Sequence, residues 1–167
     1  MPSRSPRSCR LNRASVPVVA VSDLAVRRSE LAARFYGHPS KDVCCLGVTG
    51  TNGKTSIAFH LTDLSQRLGV TSGYCGTLGW GELGQLRAAQ LTTPSAVALQ
   101  EYLAVMRSDG VTRIAMEVSS HALDQGRVAA VHFEVAVFSN LTRDHLDSTK
   151  RSRPIRRRRR NYFNSGP

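Results

Sequence analysis

Residues 47–55 read Gly47-Val48-Thr49-Gly50-Thr51-Asn52-Gly53-Lys54-Thr55. The apolar run VCCLGV at 43–48 leads into this stretch and suits a buried strand. Behind it, Ile57, Leu61, Leu64 and Leu68 recur at i, i+4, i+7 and i+11, the spacing of one helical face, and Gly69 can end that helix. A glycine-rich turn between a strand and a helix is the setting a phosphate loop requires. Glycines let the backbone wrap closely, so that its N–H groups point at phosphate oxygens, and the helix N-terminus adds about half a positive charge. Lys54 is expected to contact the β and γ phosphates, and the Thr55 hydroxyl to face Mg2+. The general phosphate-loop pattern asks for glycine five residues before Gly53; Val48 stands there, so that pattern fails by one residue.

Working outward, residues 16–21 (VPVVAV) read as a short strand, and residues 23–36 as a helix with Leu24, Leu31 and Phe35 near one face. GHPS at 37–40 is a loop. Residues 71–90 are glycine-rich, with weak strand signals around Tyr74. Thr93-Pro94 resembles an N-cap followed by proline at the first helical position, and Leu99, Leu103 and Met106 give that helix its apolar face. Residues 112–118 (TRIAMEV) and 133–139 (FEVAVFS) read as two more buried strands. Strands alternating with helices predict an α/β fold, a mostly parallel sheet flanked by helices.

The net charge of +11 suggests nucleic acid, but its distribution argues otherwise. Residues 1–13 hold four arginines, and residues 148–167 one lysine and seven arginines, with no acid in either. Residues 14–147 carry eleven basic and twelve acidic side chains, so the basicity belongs to the ends. Residues 148–167 show no periodicity and no core and are expected to be disordered, as are residues 1–15. No stretch approaches the ~20 apolar residues that span a bilayer, and VPVVAV is too short for a signal peptide core. A cytoplasmic protein, with no specific nucleic-acid or membrane partner, is the expectation. Cys9, Cys44, Cys45 and Cys75 form no CxxC pair and read as reduced, buried small hydrophobes.

Glu117 closes the run IAMEV, and an acid at the C-terminal end of a central strand lies where a doubly wound sheet places its ligands. It could hold Mg2+ beside the phosphate loop; a solvated glutamate is the plainer alternative. His121 and Asp144-His145 lie in polar loops, where imidazole can ligate a metal or simply be solvated. His38, His60 and His132 are read as solvated.

Taken together, these segments resemble the Mur ligases, most closely the MurE type that adds the third amino acid of the cell-wall precursor. GVTGTNGKTS at 47–56 is similar to that family's ATP loop, including the glycine spacing the general pattern lacks. LTTP at 91–94, MEVSSHALDQGR at 116–127 and FSNLTRDHLD at 138–147 resemble three further family blocks. VPVVAVSDL and ELAARFYGHPS resemble the link from a uridine-binding domain into the ATPase domain. The resemblance covers residues 16–147 and implies a division into a link at 16–40 and the N-terminal part of the ATP-binding domain at 41–147.

The reaction it implies is ATP-dependent amide formation on UDP-MurNAc-L-Ala-D-Glu, with meso-diaminopimelate or L-lysine as the incoming amino acid, in a monomeric acid–amino-acid ligase. The resemblance implies that Gly50, Thr51, Asn52, Gly53, Lys54, Thr55 and Ser56 bind ATP. Thr92, Thr93, Ser119, Gln125 and Arg127 would contact the nucleotide-sugar peptide. Glu117 and His145, with Thr55, would hold magnesium; Lys54, Glu117 and His145 form the implied catalytic set. Another phosphate-loop protein, such as a folylpolyglutamate synthase-like ligase, is the alternative.

The sequence also departs from the family. The uridine-binding domain expected before residue 16 is nearly absent, and after Asp147 the family continues with a Tyr-His pair and a helix bearing a carbamylated lysine. Residues 148–167 instead read STKRSRPIRRRRRNYFNSGP. Permitted codons for this tail, read two bases later, give HETIEAYSAAKTQLF, which resembles the lost segment and suggests a frameshift. Without the amino-acid-binding domain, and with Arg159 near the place of the modified lysine, the chain alone is expected to be inactive.

Overall fold

The computed structural model describes residues 19–140. Helix α1 spans Leu24–Phe35, and a 3-10 turn covers Pro39–Lys41. Strand β1 is Cys44–Thr49 and helix α2 Lys54–Arg67. Strands β2 (Ser72–Gly76) and β3 (Gly79–Glu82) form a hairpin, followed by helix α3 (Ala96–Ser108). Strand β4 (Arg113–Glu117), the short helix α4 (Ser120–Asp124) and strand β5 (Val135–Phe138) complete the described order.

The five strands form one sheet in the order β3-β2-β4-β1-β5. Only β2 and β3 pair antiparallel; β2–β4, β4–β1 and β1–β5 are parallel. The mostly parallel α/β sheet expected from the sequence is therefore present. From β1 the chain steps to one side to build β2, β3 and β4, and then to the other to build β5. That reversal beside β1 creates a crevice at the C-terminal strand ends, where α/β sheets bind ligands.

Alternation along the strands sorts the core into two layers. Cys45, Cys75, Ile114 and Met116 face α3, whose Leu99, Leu103 and Met106 are buried as the spacing predicts. Val48, Tyr74 and Ala115 face α2 and its Ala58. Cys45 and Cys75 are buried free thiols, and Cys44 is a half-buried one. Burial, then the neighbouring Cys44 and Cys75, pushes the Cys45 thiol up to about 12. Burial, then the charge of Glu117, does the same to Cys75.

Several expectations need correcting, among them the burial of 133–139: β5 ends the described sheet, and its Val135 and Phe138 are exposed because no described strand or helix covers them. The face of α2 against the sheet is Ala58, Thr62 and Ser65, one residue (about 100°) round from the leucine stripe, and Leu64 and Leu68 are exposed. Small residues win because the fully buried Tyr74 fills this layer from the sheet side, and the polar groups of α2 are satisfied locally. The Thr62 hydroxyl donates to the Ala58 carbonyl at 2.9 Å, and the Ser65 hydroxyl to that of Leu61 at 2.7 Å. In α1 the buried face is Ser29, Ala32 and Ala33, whereas Leu24, Leu31 and Phe35 are exposed. Ser29 belongs inside because its hydroxyl accepts the Ala130 N–H at 3.0 Å.

The cap of α3 is Ser95, whose hydroxyl accepts the Ala98 N–H at 3.3 Å; Thr93 is drawn away into other bonds. Lastly, residues 19–21, the described part of the expected first strand, form none.

Candidate nucleotide and magnesium site

The glycine-rich loop leaves the C-terminal end of β1 and enters α2 at Lys54. Gly53 caps that helix with φ of 83°, and Gly50 has φ of 145°, both favouring glycine. A Cβ on Gly50 would lie 2.1 Å from the Ser139 Oγ, so close packing against the end of β5 also demands glycine. Lys54 Nζ donates to the Gly50 and Thr51 carbonyls at 3.0 Å each, which keeps the ammonium against the loop. Ser56 occupies the first turn of α2.

Residues beyond β5 brace the loop. The Thr51 N–H donates to the Asn140 carbonyl at 3.0 Å, and the Ser139 hydroxyl to the Asn52 carbonyl at 2.7 Å. The Asn140 side chain pairs with both the Asn52 N–H (3.0 Å) and the Asn52 carbonyl (3.1 Å).

Glu117 ends β4, and Val48 of β1 is its cross-strand partner, so the carboxylate stands beside the root of the loop. It is 1% exposed. The Thr55 hydroxyl donates to Oε2 at 2.9 Å. The Thr77 N–H donates to Oε1 at 2.8 Å, and the Tyr74 hydroxyl donates to the same oxygen. The Thr77 hydroxyl lies 3.4 Å from Oε2 and is hydrogen-bonded to the Thr92 hydroxyl at 3.1 Å. Burial, then the hydrogen bond and charge of Glu117, raise the Tyr74 phenol well above its ordinary range, so it remains a donor.

These residues suit a hard divalent cation. A buried carboxylate ordinarily takes a positive partner, yet no ion pair among the described residues includes Glu117. Among the described residues no group of three His, Cys, Asp or Glu could hold a metal. Hydroxyl and carboxylate oxygens beside a phosphate loop match magnesium, which keeps several waters and takes one or two carboxylates plus phosphate oxygens. His145 lies outside the described residues.

The segment expected to meet the second substrate lies alongside. Thr92 is half-buried, whereas Thr93 is buried and braces the strand end. The Thr93 hydroxyl donates to the Glu117 carbonyl at 2.8 Å and accepts the Ser119 N–H at 3.0 Å. Arg127 donates to the Thr93 carbonyl and, through Nε, to Gln125 Oε1, both at 2.8 Å. The Ser119 hydroxyl caps α4 by accepting the Ala122 N–H at 3.2 Å. The structure thus gathers Thr55, Glu117, Thr92, Thr93, Ser119, Gln125 and Arg127 at one end of the sheet. His121 lies on α4. Tyr74, Thr77, Ser139 and Asn140 were missed as individual residues; a Gly-Thr pair just after a weak strand was the available signal for Thr77.

Comparison with known proteins identifies the family. The Mur ligase middle domain family matches residues 48–165. A UDP-N-acetylmuramoyl-L-alanyl-D-glutamate--2,6-diaminopimelate ligase of Xylella fastidiosa is 55% identical over 135 residues, 80% of this chain and 27% of that protein. The protein of that name from Pseudomonas aeruginosa is 51% identical over 131 residues, 78% of this chain and 27% of its own. A solved structure of such a ligase superposes with a TM-score of 0.69 at 36% identity, covering 77% of this chain and 26% of that one. The chain thus spans about a quarter of the length of these relatives. The family match, which runs across the glycine-rich loop and the buried carboxylate beside it, places the chain in the Mur ligase family, with residues 48–165 in its middle domain.

Proposed function

We propose that this chain supplies the ATP- and magnesium-binding part of a ligase that joins meso-diaminopimelate, or L-lysine in its place, to UDP-MurNAc-L-Ala-D-Glu. The observation that carries this reading is the 2.9 Å bond from Thr55, in the first turn after the phosphate loop, to the buried Glu117 carboxylate, which has no cationic side chain beside it among the described residues. The relatives' printed name supplies the nucleotide-sugar dipeptide and 2,6-diaminopimelate. Residues 41–147 would form the N-terminal part of the ATP-binding domain and residues 16–40 its link. A cytoplasmic location and a monomeric state belong to the same reading; among the described residues no helix is long and apolar enough to cross a membrane.

In this reaction a carboxylate oxygen of D-glutamate attacks the γ-phosphorus of ATP, and ADP leaves. The amino group then attacks the acyl carbon, phosphate departs with the C–O electron pair, and the nitrogen gives up one proton to the departing phosphate as the amide forms. Two anions must meet in the first step, so charge has to be neutralised where it gathers. Lys54 and the loop N–H groups would do this at the phosphates. Magnesium, held by Thr55, Glu117 and His145, would supply further positive charge. Thr92, Ser119, Gln125 and Arg127 would orient the dipeptide end of the nucleotide sugar, with Thr93 holding their backbone in place. Calorimetric titration of the 167-residue chain with Mg·ATP tests the reading. Binding is expected to vanish in Lys54→Ala and to lose its magnesium dependence in Thr55→Ala; full binding by Lys54→Ala overturns it.

A further inference from the structure

Glu117 has two carboxylate oxygens, and the fold treats them differently. Oε1 lies in a bracket built by the end of β2. The Tyr74 hydroxyl and the Thr77 N–H both donate to it. Gly76 closes the bracket, since a Cβ there would lie 2.3 Å from Oε1 and 2.4 Å from the Tyr74 oxygen. Oε2 faces Thr55 and the loop, with the Thr77 hydroxyl at its side at 3.4 Å. Tyr74 is fully buried in the layer beneath α2, and its ring is locked among Val48, Ala58 and Ala115. A buried phenol seeks one hydrogen-bond partner, and here that partner is the carboxylate.

We propose that Tyr74 is a positioning residue for Glu117: together with the Thr77 N–H it occupies Oε1, so that Oε2 alone is presented to the cation beside Thr55. The proposal rests on the reading of Glu117 as a magnesium carboxylate. Two donors on one oxygen fix the plane of the carboxylate as well as its place. Without the phenol, one donor remains on Oε1 and the plane of the carboxylate is held less firmly, so Oε2 no longer points at one spot. Partners that orient a metal-binding carboxylate typically account for about 10–100-fold in metal affinity. The ring of Tyr74 fills the core and its oxygen aims the carboxylate, and Tyr74→Phe separates these two roles.

The test is manganese binding to the full 167-residue chain with ATP present, read from the loss of the free-ion paramagnetic resonance signal, beside ATP binding in EDTA. Tyr74→Phe is expected to weaken Mn2+ affinity about tenfold, to leave metal-free ATP binding unchanged, and to add no loss in a Glu117→Gln background. A structural defect would instead lower both affinities and add to Glu117→Gln. Gly76→Ala, which crowds Oε1 from the other side, provides a second variant and is expected to weaken Mn2+ in the same selective way. The proposal is overturned if Tyr74→Phe binds Mn2+ within twofold of the parent while Glu117→Gln does not, or if its loss persists undiminished in Glu117→Gln. If Glu117→Gln itself retains full Mn2+ affinity, the magnesium reading of that carboxylate fails, and the proposal with it.

Discussion

The Asn52 N–H, within the phosphate loop, donates to Asn140 Oδ1 at 3.0 Å, across 88 residues of sequence. The same side chain returns a bond to the Asn52 carbonyl, so a single asparagine after β5 grips one residue of the loop through the peptide units on both sides of it. Asn140→Ala removes both bonds and leaves the Thr51 N–H bond to the Asn140 backbone. Amide hydrogen exchange at Asn52 is expected to quicken about fivefold, the equivalent of ~1 kcal/mol for a partly exposed hydrogen bond. Unchanged exchange there would show that the glycines alone shape the loop.

Gly50 makes a different demand. Its φ of 145° and the 2.1 Å approach of a Cβ to the Ser139 oxygen both oppose a side chain. Gly50→Ala is expected to cost about 1–3 kcal/mol of stability, the usual scale of backbone strain, and to abolish Mg·ATP binding. Thermal denaturation and calorimetry measure the two effects, and a variant with parental melting temperature and affinity would contradict the geometry.

Thr93 and Thr92 are neighbours with opposite expected behaviour. Thr93→Val keeps the shape but leaves the Glu117 carbonyl and the Ser119 N–H without their buried partner. Its stability in urea is expected to fall by roughly 2–4 kcal/mol, on the scale of losing a partner for two buried groups. Thr93→Ser, which keeps the hydroxyl, should recover most of that. Thr92→Val should change stability by less than ~1 kcal/mol. Similar losses for the two valine variants would remove the distinction.

The buried thiols set an alkaline limit. Cys45 and Cys75 hold their protons up to about 12 in the folded chain, against an ordinary 9. Above pH 9 the unfolded chain therefore binds fewer protons than the folded one, and stability falls as pH rises. Their contribution is complete below pH 9 and disappears progressively toward pH 12. Cys45→Ala is expected to flatten the decline of melting temperature between pH 9 and 11 relative to the parent. An equally steep decline would assign the effect to other groups.

Much of this architecture is written in residue order. Gly50, Gly53, Lys54 and Thr55 specify their own surroundings, because a phosphate loop is a local structure made by consecutive residues. Glu117 was legible because it ends an apolar run. The helix faces were not. In α1 and α2 the leucines outline a periodic stripe, yet Ala32, Ala58, Thr62 and Ser65 meet the neighbouring layer. Which stripe is buried depends on the volume opposite, and for α2 that volume is Tyr74, outside the helix. The Oε1 bracket and the Asn140 brace were invisible for the same reason, since each joins residues 40 or more positions apart. The family match reaches residue 165, past residue 147 where the resemblance read from the motifs ends.

The strand order also has a kinetic consequence. In the finished sheet β4 separates β1 from β2, although both are synthesised before it. Neither early strand can find its final parallel partner until residues 113–117 have left the ribosome. Long-range parallel pairing of this kind is slow to nucleate. Until β4 slides between them, α2 and its loop have no carboxylate beside them, because Glu117 arrives on the inserted strand. Competence for the cation should therefore appear in the same kinetic phase as insertion of β4, which makes Mn2+ uptake a direct clock for that step.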